Sequence, residues 1–122
     1  MARIRHLAIL TEDVERLVSF YTTSFGLEIV EGVGTATYLT DGHLNLAIIP
    51  IGPERKIEGD HLKVGINHFG FEVENVDALV PICNEAGALA DVKKRPPNRE
   101  AEFRVHDPDG NPIDLSQHGW PH

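Results

Sequence analysis

The apolar positions of this chain change period in a repeating order. From Ile4 to Leu10 the pattern is that of a strand, with Leu7 and Ile9 on one face and His6, Ala8 and Leu10 on the other. Thr11 then offers an N-cap, and Val14, Leu17, Val18, Tyr21 and Phe25 recur at helical spacing up to a stop at Gly26. Short apolar runs at residues 27–33, 35–39 and 43–49 read as three strands, the last two joined by a turn at Asp41-Gly42. The pattern then starts again. Phe69, Phe71 and Val73 alternate with His68, Gly70 and Glu72, and Val76, Leu79, Ile82, Cys83 and Ala86 form a helical stripe that Pro81 should kink or shorten. Strands are expected near residues 91–94, 102–106 and 112–117, with Asp107-Pro108-Asp109-Gly110 as the turn. The polar stretch 50–64 is the link and calls for no regular structure.

The chain thus repeats itself. Ile4-Arg5-His6-Leu7-Ala8-Ile9 matches Ile66-Asn67-His68-Phe69-Gly70-Phe71, with histidine third in both. Asp41-Gly42-His43-Leu44-Asn45-Leu46 matches Asp109-Gly110-Asn111-Pro112-Ile113-Asp114-Leu115 if the second copy carries one extra residue, which sets Asn45 opposite Asp114. The fold expected is α+β: two tandem βαβββ modules, residues 1–50 and 64–120, within one domain spanning 1–122.

Strand alternation assigns faces. The bulky residues should carry the helices, and the faces with histidine and small neighbours should be open. His6, Asn45, His68 and Asp114 then lie on comparable open faces, together with His43 and with Glu102, Arg104 and His106. Two imidazoles and a carboxylate are a set that holds a divalent metal on one side and leaves coordination positions open. A duplicated module would also keep paired histidines for structural reasons, so the metal reading rests on the repeat and Asp114 together. Asn45 reads as a polar pocket wall. Arg104 is either a contact for a substrate anion or, more plainly, a solvated strand arginine. His43 and His106 can line the cavity as acid/base groups, whereas His61, His118 and His122 read as surface or loop residues. Cys83, Phe20 and Tyr21 read as core. Gly32-Val33-Gly34 reads as a loop or bulge and lacks the spacing of a phosphate-binding loop.

Composition narrows the classes. A chain of 122 residues with 41% hydrophobic and 25% charged residues is long enough for a core of its own. A net charge of −8 argues against binding nucleic acid or an anionic membrane surface. A single cysteine excludes an internal disulfide, and the absence of a signal-peptide pattern makes a cytoplasmic protein the expectation.

These residues resemble the vicinal oxygen chelate superfamily, which includes the glyoxalase, bleomycin-resistance and extradiol dioxygenase families. The resemblance spans essentially the whole chain. It is carried by Ile4-Arg5-His6-Leu7, by Val18-Ser19-Phe20-Tyr21 with Phe25-Gly26-Leu27, by Asn67-His68-Phe69-Gly70-Phe71, and by Asp107-Pro108-Asp109-Gly110-Asn111-Pro112-Ile113-Asp114-Leu115. It implies paired βαβββ modules whose mixed sheet curls into a cup around a metal, and a homodimer. By position His6 and His68 match the two first-strand ligands, Asp114 the closing carboxylate and Asn45 the fourth place. Asp114 stands where relatives usually carry the longer Glu, and Asn45 where glyoxalase I-like and epimerase-like members carry Glu or Gln. The missing second carboxylate turns the implied chemistry toward extradiol-type dioxygenases with iron(II); manganese, nickel or zinc are the other metals expected. A glyoxalase-like lyase or isomerase, a thiol transferase and a metal-free bleomycin-binding protein are the alternatives. In each case the partner is a small molecule, which the enzymes would chelate through two adjacent oxygens.

Overall fold

The computed structural model describes residues 2–32, 34–51, 63–89, 93–95 and 101–121. Its elements run β1 (Arg3–Thr11), α1 (Val14–Phe25), β2 (Glu28–Val30), β3 (Thr37–Thr40), β4 (Asn45–Pro50), β5 (Gly65–Glu72), α2 (Val76–Glu85), β6 (Lys93–Lys94), β7 (Phe103–His106) and β8 (Pro112–Ser116). This is the α+β class, mixed strands with two helices, in the order β-α-β-β-β twice over. The contacts group the chain into two compact units, one of residues up to His6 with His68–Pro121, the other of Leu7–Asn67. No described helix is long and apolar enough to cross a membrane.

In the Leu7–Asn67 unit the strand order is β2-β3-β4-β1. β3 and β4 pair antiparallel from Thr37↔Ile48 to Thr40↔Asn45. Residues 41–44 form the connection, so His43 lies in the loop and not on the strand expected to start there. Asp41 Oδ1 accepts from the backbone N–H groups of His43 and Leu44 at 2.8 and 2.7 Å, and these bonds hold its carboxyl below the usual range. α1 packs Val14, Leu17, Val18 and Tyr21 on Ile9, Leu39 and Ile48. Each such fully buried aliphatic side chain contributes about 1.5–3 kcal/mol.

The helix starts later than the sequence suggests. Thr11 ends β1 and its Oγ1 accepts from Asp13 N, while Asp13 is the N-cap, its Oδ1 accepting from Arg16 N at 3.1 Å. Gly26 closes the helix as expected, with φ 70°. Phe20 and Phe25 correct the core assignment: they are 54% and 66% exposed and meet edge to face. The face expected to be open is filled in this unit, because Ala8, Leu10, Tyr38, Ala47 and Ile49 form a second apolar cluster. Leu10, Tyr38 and Ile49 are simply too large to leave a polar floor.

In the other unit the order is β1-β5-β8-β7-β6. β5 and β8 run parallel, and β7 and β6 continue antiparallel from β8. α2 is capped by Asn75 and sets Leu79, Val80 and Cys83 on Val73, Val76, Val105 and Leu115. Burial pushes the Cys83 thiol up, as its packed position requires. Pro81 sits inside α2 without ending it, and Ile82, expected in the buried stripe, is 60% exposed. Of the segments read from sequence, the link falls mostly on residues outside those described, as do Val33, His61, His122 and the start of the 91–94 strand.

Candidate metal centre

The register of one unit sets the site. Gly70 on β5 stands beside Asp114 on β8, and Asp114 stands opposite Arg104 on β7. Two residues before Gly70, and so on its face of β5, is His68. His6 comes from the start of β1, which belongs to the same unit. The result is a group of three buried donors, His6, His68 and Asp114, whose ligand atoms all lie within 4.8 Å of one another.

Two of the three separations are those of donors that share an ion. His6 Nε2 and His68 Nε2 are 3.3 Å apart, and His68 Nε2 is 3.2 Å from Asp114 Oδ2. Donors about 2.1 Å from one ion are separated by about 3.0 Å at a right angle and about 3.4 Å at a tetrahedral angle. The donor types suit iron(II), manganese, nickel and zinc. The residues present therefore fit a divalent metal.

Their surroundings fix them. Arg104 is not the solvated strand arginine that the sequence suggested. It is 3% exposed, and its Nε donates to Asp114 Oδ1 at 2.8 Å, leaving Oδ2 toward the imidazoles. Burial works against ionisation of Asp114, but His68 and Arg104 outweigh it and hold the carboxyl well below the usual carboxylate range. On the other side, Trp120 stacks on the His6 ring at a centroid distance of 4.7 Å and an interplanar angle of 3°. This stack needs Gly70: a Cβ there would lie 2.6 Å from the indole and 3.2 Å from His6 Cβ.

The tail that carries Trp120 is tied down in turn. Arg5 Nη2 donates to the Trp120 carbonyl at 3.2 Å, and Arg5 Nη1 to Glu72 at 2.9 Å. Gly119 N donates to Ser116 Oγ, whose hydroxyl donates to Glu102. Sequence reasoning missed Trp120 and Arg5. Trp120 lies beyond the last strand, where no periodicity marks a face, and Arg5 is on the opposite side of the strand from His6.

Among the described histidines, neither His43 nor His106 belongs to the group of three donors. His106 is half-buried on β7, on the same face as Arg104. His43 is exposed in its loop, and Asn45 is fully buried at the first position of β4, both in the other unit. His118 is exposed, its Nδ1 2.8 Å from Glu102.

Comparison with known proteins agrees with this architecture. The family model for the Glyoxalase/Bleomycin resistance protein/Dioxygenase superfamily matches residues 3–115. The uncharacterized protein YwkD of Bacillus subtilis is 27% identical, over 92% of this chain and 94% of its own. Among solved structures, the hypothetical protein BH1468 of Bacillus halodurans superposes with a TM-score of 0.73 at 18% identity, covering 93% of this chain and 92% of that one. Methylmalonyl-CoA epimerase from Mycobacterium tuberculosis gives 0.66 at 16% identity, over 92% and 85%. The 2,3-dioxygenase LapB from Pseudomonas sp. KL28 gives 0.67 at 20% identity, over 93% of this chain but 40% of LapB. At these identities the structures share the fold.

Proposed function

This chain belongs to the glyoxalase/bleomycin resistance protein/dioxygenase superfamily, and from that premise we propose that it is a metal-dependent enzyme acting on a small molecule held through two adjacent oxygens. The observation that carries the proposal is the convergence of His6 Nε2, His68 Nε2 and Asp114 Oδ2. His6, His68 and Asp114 would hold the divalent ion, and the chemistry it would supply there is Lewis-acid stabilisation of charge on two adjacent substrate oxygens. The leading reading is extradiol-type ring cleavage, because two histidines and one carboxylate are the donor set of non-heme iron(II) oxygenases.

The chain's own residues do the positioning. Trp120 fixes the plane of the His6 ring, Arg104 turns Asp114 so that Oδ2 faces the imidazoles, and the burial of all three donors excludes competing water. His106 is our acid/base candidate in this unit, since it shares the Arg104 face of β7. A second reading, a lyase, isomerase or epimerase on the same centre, is favoured by length: this chain spans 85% of the mycobacterial epimerase and 40% of LapB.

Metal content of anaerobically purified protein, read by elemental mass spectrometry beside His68→Ala, tests the proposal. About one iron or manganese per chain, lost in the variant, is the expected result. Oxygen uptake with catechols then supports the first reading, and turnover without oxygen uptake the second. Absence of metal in the wild type, even after soaking in divalent ions, sinks both and leaves a metal-free binding protein.

A further inference from the structure

We infer that the centre, taken as metal-loaded in the reading above, selects small molecules that bring two negative charges on adjacent oxygens. The argument is a charge count in a buried place. The three donors are 4%, 7% and 6% exposed, and Arg104 beside them is 3% exposed. Two neutral imidazoles and one carboxylate would together contribute a single negative charge. Arg104 cancels it, its positively charged guanidinium being bonded to Asp114 at 2.8 Å. Over these four side chains the charges sum to zero, and a divalent ion held by them would keep its full double charge. Two other acidic side chains of this unit, Glu72 and Glu102, have partners of their own. Glu72 is paired with Arg3 and Arg5 at 3.2 and 2.9 Å, and Glu102 accepts from Ser116 and Gln117 and faces His118.

A net double charge away from water is costly, and the compensation has to come from the ligand. A dianion removes the whole excess, a monoanion only half. Metal and dianion should then bind cooperatively, each tightening the other by the same factor. Arg104 has this effect through Asp114, so it is a positioning residue that tunes the metal and not a substrate contact.

The test is a calorimetric titration of manganese(II) into the whole protein, alone and with oxalate or glycolate, corrected for complexes formed in the buffer. Both anions chelate through two adjacent oxygens, but one carries two charges and the other one. The expected result is that oxalate tightens manganese by about tenfold or more, and glycolate by much less. In Arg104→Gln the preference for oxalate over glycolate should collapse, while Arg104→Lys should keep it. Equal coupling by the two anions in the wild type overturns the inference alone, as does an unchanged preference in folded Arg104→Gln. If that variant does not fold, the wild-type ratio decides. Failure of manganese, iron and zinc to bind at all overturns the metal reading, and this inference with it.

Discussion

Asp114 shows how much one residue can carry. Its two oxygens face different partners, His68 at 3.2 Å and Arg104 at 2.8 Å, and all three side chains are buried. Asp114→Ala leaves the Arg104 guanidinium without its counter-charge, so it should cost about 3–5 kcal/mol in a urea unfolding experiment. The double variant Asp114→Ala with Arg104→Met should recover part of that loss, a non-additivity that a merely cavity-driven effect would not produce. Gly70 is constrained by space instead. Gly70→Ala should cost about 1–3 kcal/mol and shift the fluorescence of Trp120, the single tryptophan, because the new methyl meets the indole. Unchanged emission would mean that Trp120 is not seated on His6. The two histidines and Asp114 were legible because repetition and alternation both marked them. The Arg104–Asp114 bond was not, since alternation put both on one face but only the register of β7 on β8 makes them opposite.

At the scale of elements, the order and kind of the ten described elements were readable from period, turn residues and the internal repeat, and their ends were not. Thr11 and Asp13 are both good caps by chemistry. Strand pairing takes Thr11 into β1, as the Ile51 N–H to Thr11 carbonyl bond at 2.9 Å shows, and so leaves the cap to Asp13. Asp13→Ala and Asn75→Ala should each lower stability by about 1 kcal/mol, measured by denaturant titration with an unchanged slope. Thr11→Ala also removes the acceptor for Asp13 N, so a Thr11 loss larger than the Asp13 loss would reverse this assignment of the cap. The apolar stripes were over-read. Helical spacing cannot distinguish a residue at the rim of the stripe from one at its centre, which is why Phe25 and Ile82 carry the period yet lie exposed. The Asp-Gly pair suggests a tight turn with a strand from His43, whereas β4 begins two residues later, at Asn45. Here Asp41 instead ties His43 and Leu44 into a longer loop.

For the whole molecule, acid and metal act on the same centre with different thresholds. The Asp114 carboxyl is held below its unfolded value, so the stability it contributes is fully present above about pH 4 and is lost as pH falls through the lower folded value. Asp41, accepting backbone N–H groups, and Asp107, accepting the Asn111 side-chain amide and then backbone N–H groups, are lowered in the same direction and steepen the same acid limb. Metal stabilisation has another proton dependence, because each imidazole must give up a proton before it can donate to an ion. An ion at one hundred times its dissociation constant adds about 2.7 kcal/mol by mass action. On acidification that increment should disappear first, with up to two protons taken up per ion released, while the apoprotein is still folded. The carboxylate limb should follow at lower pH. Thermal melts with and without manganese(II), from about pH 8 down to about pH 3, would separate the two. An increment that persists until the apoprotein itself unfolds would mean that the ion is held by carboxylates alone, and His6 and His68 would then have to be removed from the centre.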